Sequence, residues 1–212
     1  MVRALAPVQA RAILERYDRA TTMLPVLETE RLLLKPRTVA DLDFIAALNA
    51  DPQVMRHIAA IGDPAMGREG VAARSFLHAE RGLGYWTVFA RANANDPLGY
   101  VGLIPWRAEA EAGTVELSYR FAVRHWGRGY ACEASERLVR HGFDALGLPA
   151  IAIVTHPGNA ASLRLAERLG FRRESDLLTA PIGDPPVPGA CFRQSADAWR
   201  QRAQPAIGLN AR

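Results

Sequence analysis

The spacing of apolar positions changes along the chain and outlines most of its secondary structure. Leu32, Leu33 and Leu34 form a short apolar run within Glu28–Pro36 that predicts a first strand. Thr38 and Asp41 have capping-box spacing, and Leu42, Ile45 and Leu48 then recur at helical intervals until Asn49–Pro52 breaks the helix. A loop with Gly62, Pro64 and Gly67 precedes a second helix over Arg68–Arg81, marked by Val71 and Phe76 and stopped by Gly82 and Gly84. The period then shortens. Tyr85–Ala90, Leu98–Pro105 and Val115–Phe121 are rich in aromatic and β-branched residues, and Asn93–Pro97 and Glu109–Gly113 between them read as turns. This is the pattern of an antiparallel meander. In its third strand Val115, Leu117, Tyr119 and Phe121 share one face, and Glu116, Ser118 and Arg120 share the other.

Helical spacing returns with Ala134, Leu138, Val139, Gly142 and Leu146, in a helix from near Tyr130 to a stop at Gly147. Ala150–Thr155 is apolar almost throughout, as in a strand covered on both faces. Asn159 is placed to cap a helix running through Leu169 and ended by Gly170. Phe171–Leu178 and Cys191–Ser195 read as strands on either side of the Pro/Gly-rich Thr179–Gly189, and Asp197–Arg202 as a last turn of helix.

Composition narrows the class. With 212 residues, 49% hydrophobic and 23% charged, the chain is expected to form one domain over residues 23–200. Residues 1–22 form an N-terminal extension, either helical or reflecting an upstream start, and 201–212 a C-terminal tail. The net charge of +4 comes almost wholly from scattered arginines, Lys35 being the sole lysine, so nucleic acid is not the expected partner. Cys132 and Cys191 make no CxxC or zinc spacing, no metal is expected, and two thiols without a secretory signal suit a reducing cytoplasm. Cys132 opens a helix whose dipole would lower its pKa, although a small buried residue is the plainer reading. No apolar run reaches the roughly 20 residues of a membrane span, and a homodimer is allowed.

The chemistry concentrates in Arg124–Ala131, which reads RHWGRGYA. Two glycines flank an arginine where a strand gives way to a helix, an arrangement that turns backbone N–H groups toward one point at the positive end of a helix dipole. The natural guest is a phosphate or pyrophosphate. A P-loop would need a lysine that is absent here. A dinucleotide fold would need a third glycine where Cys132 stands, and an acid where His156 follows the next strand. The third use of such a loop is coenzyme A.

Beyond the loop, the segments beginning at Leu27 (LETERLLLKPR), Glu116 (ELSYRF), Trp126 (WGRGYACEA), His156 (HPGNAAS) and Glu167 (ERLGFR) occur in an order that resembles the GNAT superfamily of N-acetyltransferases. The likeness is to its ribosomal-protein N-terminal acetyltransferase branch, and it covers about Leu27 to Trp199. It implies a mixed α+β fold: a mostly antiparallel sheet of six or seven strands, helices on both faces, and a splayed central strand pair. It also implies direct transfer of an acetyl group from acetyl-CoA to a primary amine, on a protein N-terminus or a small molecule. The alternative is a CoA-binding module without turnover.

By the same resemblance the CoA diphosphate lies on the N–H groups of Trp126, Gly127, Arg128, Gly129, Tyr130 and Ala131, with Arg124 and Arg128 near the phosphates. The backbone of Phe121 and Val123 holds the pantetheine arm, and Asn159 its amide. Glu116, on the polar face of the strand before the loop, is the candidate base, with Glu109 and Glu111 behind it. Many GNAT enzymes protonate the departing thiolate with a tyrosine on the helix after the second CoA strand. This chain has no tyrosine beyond Tyr130, and Ser162 takes that place. The acceptor loops are expected near Ala59–Gly67 and Thr179–Gly189, with Tyr85, Trp86 and Trp106 as either substrate wall or core.

Overall fold

The strands of the meander and the fully apolar strand lie side by side at the middle of one sheet. The computed structural model describes residues 23–105, 114–174 and 182–203. Its strands are β1 (Leu27–Glu28), β2 (Leu32–Pro36), β3 (Gly84–Ala90), β4 (Asn93–Pro105), β5 (Thr114–Phe121), β6 (Ala150–Thr155), β7 (Arg172–Glu174) and β8 (Ala190–Ser195). They form one sheet in the order β1-β2-β3-β4-β5-β6-β8-β7. All neighbours are antiparallel except β5 and β6. The eighth strand beyond the expected six or seven comes from the first strand dividing at Thr29–Arg31, where the Thr29 hydroxyl accepts from Leu32 N–H at 2.9 Å.

The helices are α1 (Leu42–Ala50), α2 (Pro52–Met55), α3 (Arg68–Ser75), α4 (Tyr130–Asp144), α5 (Ala160–Arg168) and α6 (Ala196–Ala203). One face of the sheet packs Leu32, Leu34, Trp86, Val101, Leu103, Leu117 and Phe121 with Leu138 and Val139 of α4 and Leu165 and Ala166 of α5. On the other face Leu42, Ile45 and Leu48 of α1 pack with Val71 of α3, Tyr100 and Ala122. The sheet is thus covered on both sides, and β6 has its apolar residues buried apart from half-buried Val154, as its composition requires.

Local chemistry sets the ends of these elements. Asp41 accepts from the Thr38 N–H at 2.7 Å and its hydroxyl at 3.0 Å, and a 3₁₀ turn, Val39–Asp41, leads into α1. Asp51 caps α2 by accepting from Gln53 N–H at 2.8 Å. Two boundaries differ from the expected ones. The second helix stops at Ser75, with Phe76 at φ −124°, and returns only as a 3₁₀ turn at Ala79–Arg81. Ser75 donates its hydroxyl to the Val71 carbonyl at 2.7 Å, a local bond that competes with regular helix. Asn93–Pro97 is not a free turn. Asn93 already pairs with Ala90, and register shifts beside Phe89 absorb the extra residues. Glu109–Gly113 and most of the expected strand beyond Glu174 lie outside the described residues.

The feature that positions the site is where β5 and β6 part. They are in register only at Thr114↔Ala150, Val115↔Ile151 and Glu116↔Ala152. Beyond Glu116, β5 continues against β4 alone and β6 against β8 alone. The central pair therefore splays, as the resemblance implies, and the wide end of the gap faces the glycine loop.

Candidate functional site

The backbone of β5 reaches into this gap. Antiparallel partners alternate between bonded and non-bonded pairs. Ala122 N–H donates to the Leu98 carbonyl at 3.0 Å, so Arg120 bonds to β4, and the N–H and C=O groups of Tyr119 and Phe121 point away from β4 toward the gap. The Phe121 carbonyl is taken by the indole N–H of Trp126, at 2.8 Å. Its N–H, and both polar groups of Tyr119, lie along the opening. Val123 begins a 3₁₀ turn, Val123–His125, and its carbonyl accepts from Trp126 N–H at 3.0 Å. Trp126 therefore does not offer its backbone N–H to a phosphate. The cradle starts at Gly127, one residue later than the sequence suggests.

From there the geometry suits an anion. Gly127 and Gly129 have φ of +74° and +79°, a left-handed conformation that side-chain-bearing residues rarely adopt. Successive N–H groups turned this way form a concave nest. The first intrahelical bond of α4 runs from Glu133 N–H to the Gly129 carbonyl, so the N–H groups of Tyr130, Ala131 and Cys132 precede it as helix-end donors. A Cβ on Gly127 would meet nothing within 4 Å, and one on Gly129 only the Arg31 side chain at 3.4 Å. Backbone conformation, not crowding by protein atoms, is what demands glycine here.

The loop is braced from β2. Arg31 donates to the Arg128 carbonyl at 3.1 Å and forms an ion pair with Glu133 at 2.5 Å. The same carboxylate accepts from the Thr29 hydroxyl at 2.5 Å and from Arg31 N–H at 3.1 Å. Burial pushes the Glu133 pKa up, but the hydrogen bonds from Thr29 and Arg31 and the arginine charge outweigh it, and the net shift is downward. A lowered carboxylate pKa adds stability that is present above the unfolded value near 4.5 and is lost as pH falls through the folded value. Glu133→Gln is expected to flatten the acid side of a melting-temperature-against-pH profile and to weaken CoA binding several-fold. Wild-type CoA affinity in that variant would remove the brace from the account. Arg124, by contrast, turns outward to Asp96 at 2.9 Å, with both side chains at least half exposed.

Across the gap, α5 starts at Asn159, whose side chain accepts from Ser162 N–H at 3.2 Å. The Ser162 hydroxyl is buried and lies 2.5 Å from the Tyr119 hydroxyl of β5. Burial pushes the Tyr119 phenol up to about 12, with the Ser162 bond pulling the other way, so the phenol keeps its proton at neutral pH. Tyr119 is the residue that sequence reasoning misses. Its parity places it with the core side chains Val115, Leu117 and Phe121, and only its hydroxyl distinguishes it. A tyrosine hydroxyl, absent from α5, thus stands beside Ser162 from the facing strand.

Glu116 projects to the other face of the sheet, where its charge acts on Tyr85. A candidate proton acceptor and a candidate proton donor thus stand on opposite faces of β5, the acceptor where β5 still pairs with β6 and the donor where the gap has opened. Cys132 is half-buried, and burial raises its thiol pKa, contrary to the dipole expectation. His156 accepts from Gly158 N–H at 2.9 Å and packs on His57 with ring centroids 4.9 Å apart, as a loop residue does. Trp86 is fully buried and donates to the Pro25 carbonyl at 2.8 Å, which makes it core, whereas Tyr85 lines a cavity described below. Trp106, Glu109, Glu111 and Thr179–Pro181 lie outside the described residues. A depression of about 670 Å³ between β1 and α4, lined by Glu28, Glu133, Arg137 and Asp144, includes no residue of the loop or of the gap.

Known proteins resemble this chain in sequence and fold. The acetyltransferase (GNAT) domain family matches residues 31–172. "Uncharacterized protein YkkB" of Bacillus subtilis is 33% identical over 148 residues, 68% of this chain and 84% of that protein. "Uncharacterized N-acetyltransferase YoaA" of the same organism is 31% identical over 158 residues, 73% of this chain and 87% of that protein. The crystal structure of an acetyltransferase from Agrobacterium tumefaciens superposes with a TM-score of 0.65 at 26% identity, over 81% of this chain and 94% of that one.

Proposed function

The chain belongs to the GNAT acetyltransferase family, and we propose that it moves an acetyl group from acetyl-CoA directly to a primary amine. The observation that carries this reading is the coincidence of three features at one place: the splayed β5/β6 gap, the two left-handed glycines beside it, and the Tyr119–Ser162 pair spanning it. The N–H groups from Gly127 to Ala131 hold the CoA diphosphate. The exposed backbone of Tyr119 and Phe121 takes the pantetheine arm as an added strand edge, with Val123 and Asn159 at its ends. Arg128 supplies charge near the phosphates, whereas Arg124 is held outward by Asp96.

The amine reacts as its neutral form, and Glu116, directly or through water, accepts the proton it loses. The nitrogen bonds to the thioester carbonyl carbon while a backbone N–H of β5 stabilises the carbonyl oxygen, and the carbon–sulfur bond then breaks. The departing thiolate takes a proton from the Ser162 hydroxyl as Tyr119 gives its own to Ser162; solvent water then reprotonates Tyr119 and takes the proton from Glu116. No covalent enzyme intermediate is needed, and Cys132, half-buried with its thiol pKa raised, is poorly suited to act as a nucleophile. The likeness to the ribosomal-protein N-terminal branch supports a primary amine on either a peptide or a small molecule. Two cysteines outside any disulfide support a cytoplasmic setting.

The test is release of free thiol from acetyl-CoA across a panel of peptide N-termini, amino acids, polyamines and aminoglycosides. Amine-dependent release is expected for at least one class. CoA binding with no release for any amine would instead favour a non-catalytic CoA-binding module.

A further inference from the structure

On the Glu116 face of the sheet lies a second, small cavity of about 60 Å³ between β3–β5 and helices α1 and α3. Its lining includes Arg37, Arg74 and Arg120, together with Asn49, Tyr85 and Tyr100, and no carboxylate. Arg37 is only 4% exposed. One of its nitrogens donates to the Ser75 hydroxyl at 2.8 Å, but Nε and the other terminal nitrogen meet no acceptor among the described residues, and neither does Nε of Arg120. The Arg37 guanidinium is held in place by aromatic rings, 4.2 Å from the centroid of Tyr85 and 4.5 Å from that of Tyr100. Arg120 is fixed by a short bond to the Asn49 side-chain oxygen, and Asn49 in turn donates to the Met66 carbonyl at 2.8 Å.

A buried cation without a counter-ion is costly, and an anionic ligand would offset that cost. The nearest acid does not fill that role. Asp41 acts on Arg37 by its charge, but its carboxylate is hydrogen-bonded to Thr38. Burial lowers the Arg37 pKa, as expected for a cation lacking a paired carboxylate. Rigid guanidinium forks with free N–H edges match planar carboxylates, and the cavity is the size of one such group and little more. Arg120 also follows Tyr119 directly on β5, beside the gap, and lies on the same strand face as Glu116, about 13 Å along the strand at 3.3 Å per residue.

We propose that this cavity binds the carboxylate of the acceptor, and that the acceptor is a small amine carrying a carboxylate, such as an amino acid. The carboxylate meets Arg37 and Arg120 and the amine lies toward the gap beside Arg120, with Glu116 farther along the strand taking its proton through water. The proposal rests on the acetyl-transfer reading for its choice of acceptor, but the anion site can be tested without it.

Acetyl transfer is measured for matched pairs, β-alanine with β-alaninamide and glutamate with glutamine, and for a peptide with an acidic second residue. For at least one pair the member with the extra carboxylate is expected to have kcat/KM about a hundredfold higher, and Arg120→Gln is expected to remove that preference while CoA affinity stays at the wild-type level. Equal turnover within both pairs, a preference that survives Arg120→Gln, or better turnover of the acidic peptide than of every small amine would overturn the proposal. In parallel, acetate is titrated calorimetrically into the wild type, Arg37→Met and Arg120→Gln, a readout independent of catalysis. Binding lost in either variant supports the anion site even if no amine is acetylated, in which case the acetyl-transfer reading alone fails. No acetate binding by the wild type overturns the site.

Discussion

Replacing Gly129 with valine is expected to abolish measurable CoA binding by titration calorimetry, a loss of at least about a hundredfold, or some 2.7 kcal/mol. Gly129 sits at φ +79° as the residue just before α4. A β-branched side chain is a genuine outlier in that region, and the backbone would relax toward negative φ. Relaxation turns the N–H groups at the start of α4 away from their common focus, so the variant loses the nest and not merely one contact. The space around the position is open apart from Arg31, which makes the result a test of conformation. Gly129→Ala is expected to retain part of the affinity, since alanine tolerates left-handed backbone better than valine. A Gly129→Val protein that binds CoA normally would show that the loop is only a tight turn.

The second large effect is expected at the pair across the gap. Ser162→Ala and Tyr119→Phe should each lower kcat by roughly a hundredfold, the low end of the range for lost general-acid assistance, while KM for acetyl-CoA changes little. Both hydroxyls belong to one relay, so the double variant should be hardly worse than the poorer single one. Tyr119→Phe removes only an oxygen from a ring packed against the core, so its melting temperature is expected to stay close to wild type. Because the phenol pKa is raised to about 12, kcat in the wild type should show no fall on the alkaline side near pH 10, where an ordinary tyrosine would lose its proton. Unchanged kcat in both single variants would remove the pair from the mechanism.

Much of this was legible from residue order. The strands from β3 to β6, the positions of α4 and α5, the caps at Asp41 and Asn159 and the glycine loop all follow from short-range patterns: alternation, helical spacing and turn chemistry. What was not legible depends on contacts far apart in sequence. The Tyr119–Ser162 bond joins residues 43 positions apart, and the Arg31–Glu133 brace joins residues 102 apart. Parity on β5 correctly gives the face of Tyr119 but cannot say that a polar partner waits there. The same limit hid the cavity at Arg37, whose unpaired guanidinium is visible only once β3, β4, β5 and α3 surround it. Trp126 was misjudged for a local reason. Its backbone N–H closes a 3₁₀ turn that composition does not signal, and its indole, not its main chain, reaches the Phe121 carbonyl.

The most direct measurement is a parallel count of products. Wild-type protein is incubated with acetyl-CoA and the best amine of the panel, free CoA thiol is quantified, and the acetylated amine is quantified by mass spectrometry in the same samples, with intact protein mass recorded alongside. The account predicts one acetylated amine for each thiol released, no acetyl group on the protein, and loss of both products in Gly129→Val. Thiol release without acetylated amine, or an acetyl group accumulating on the protein, would contradict direct transfer at this site.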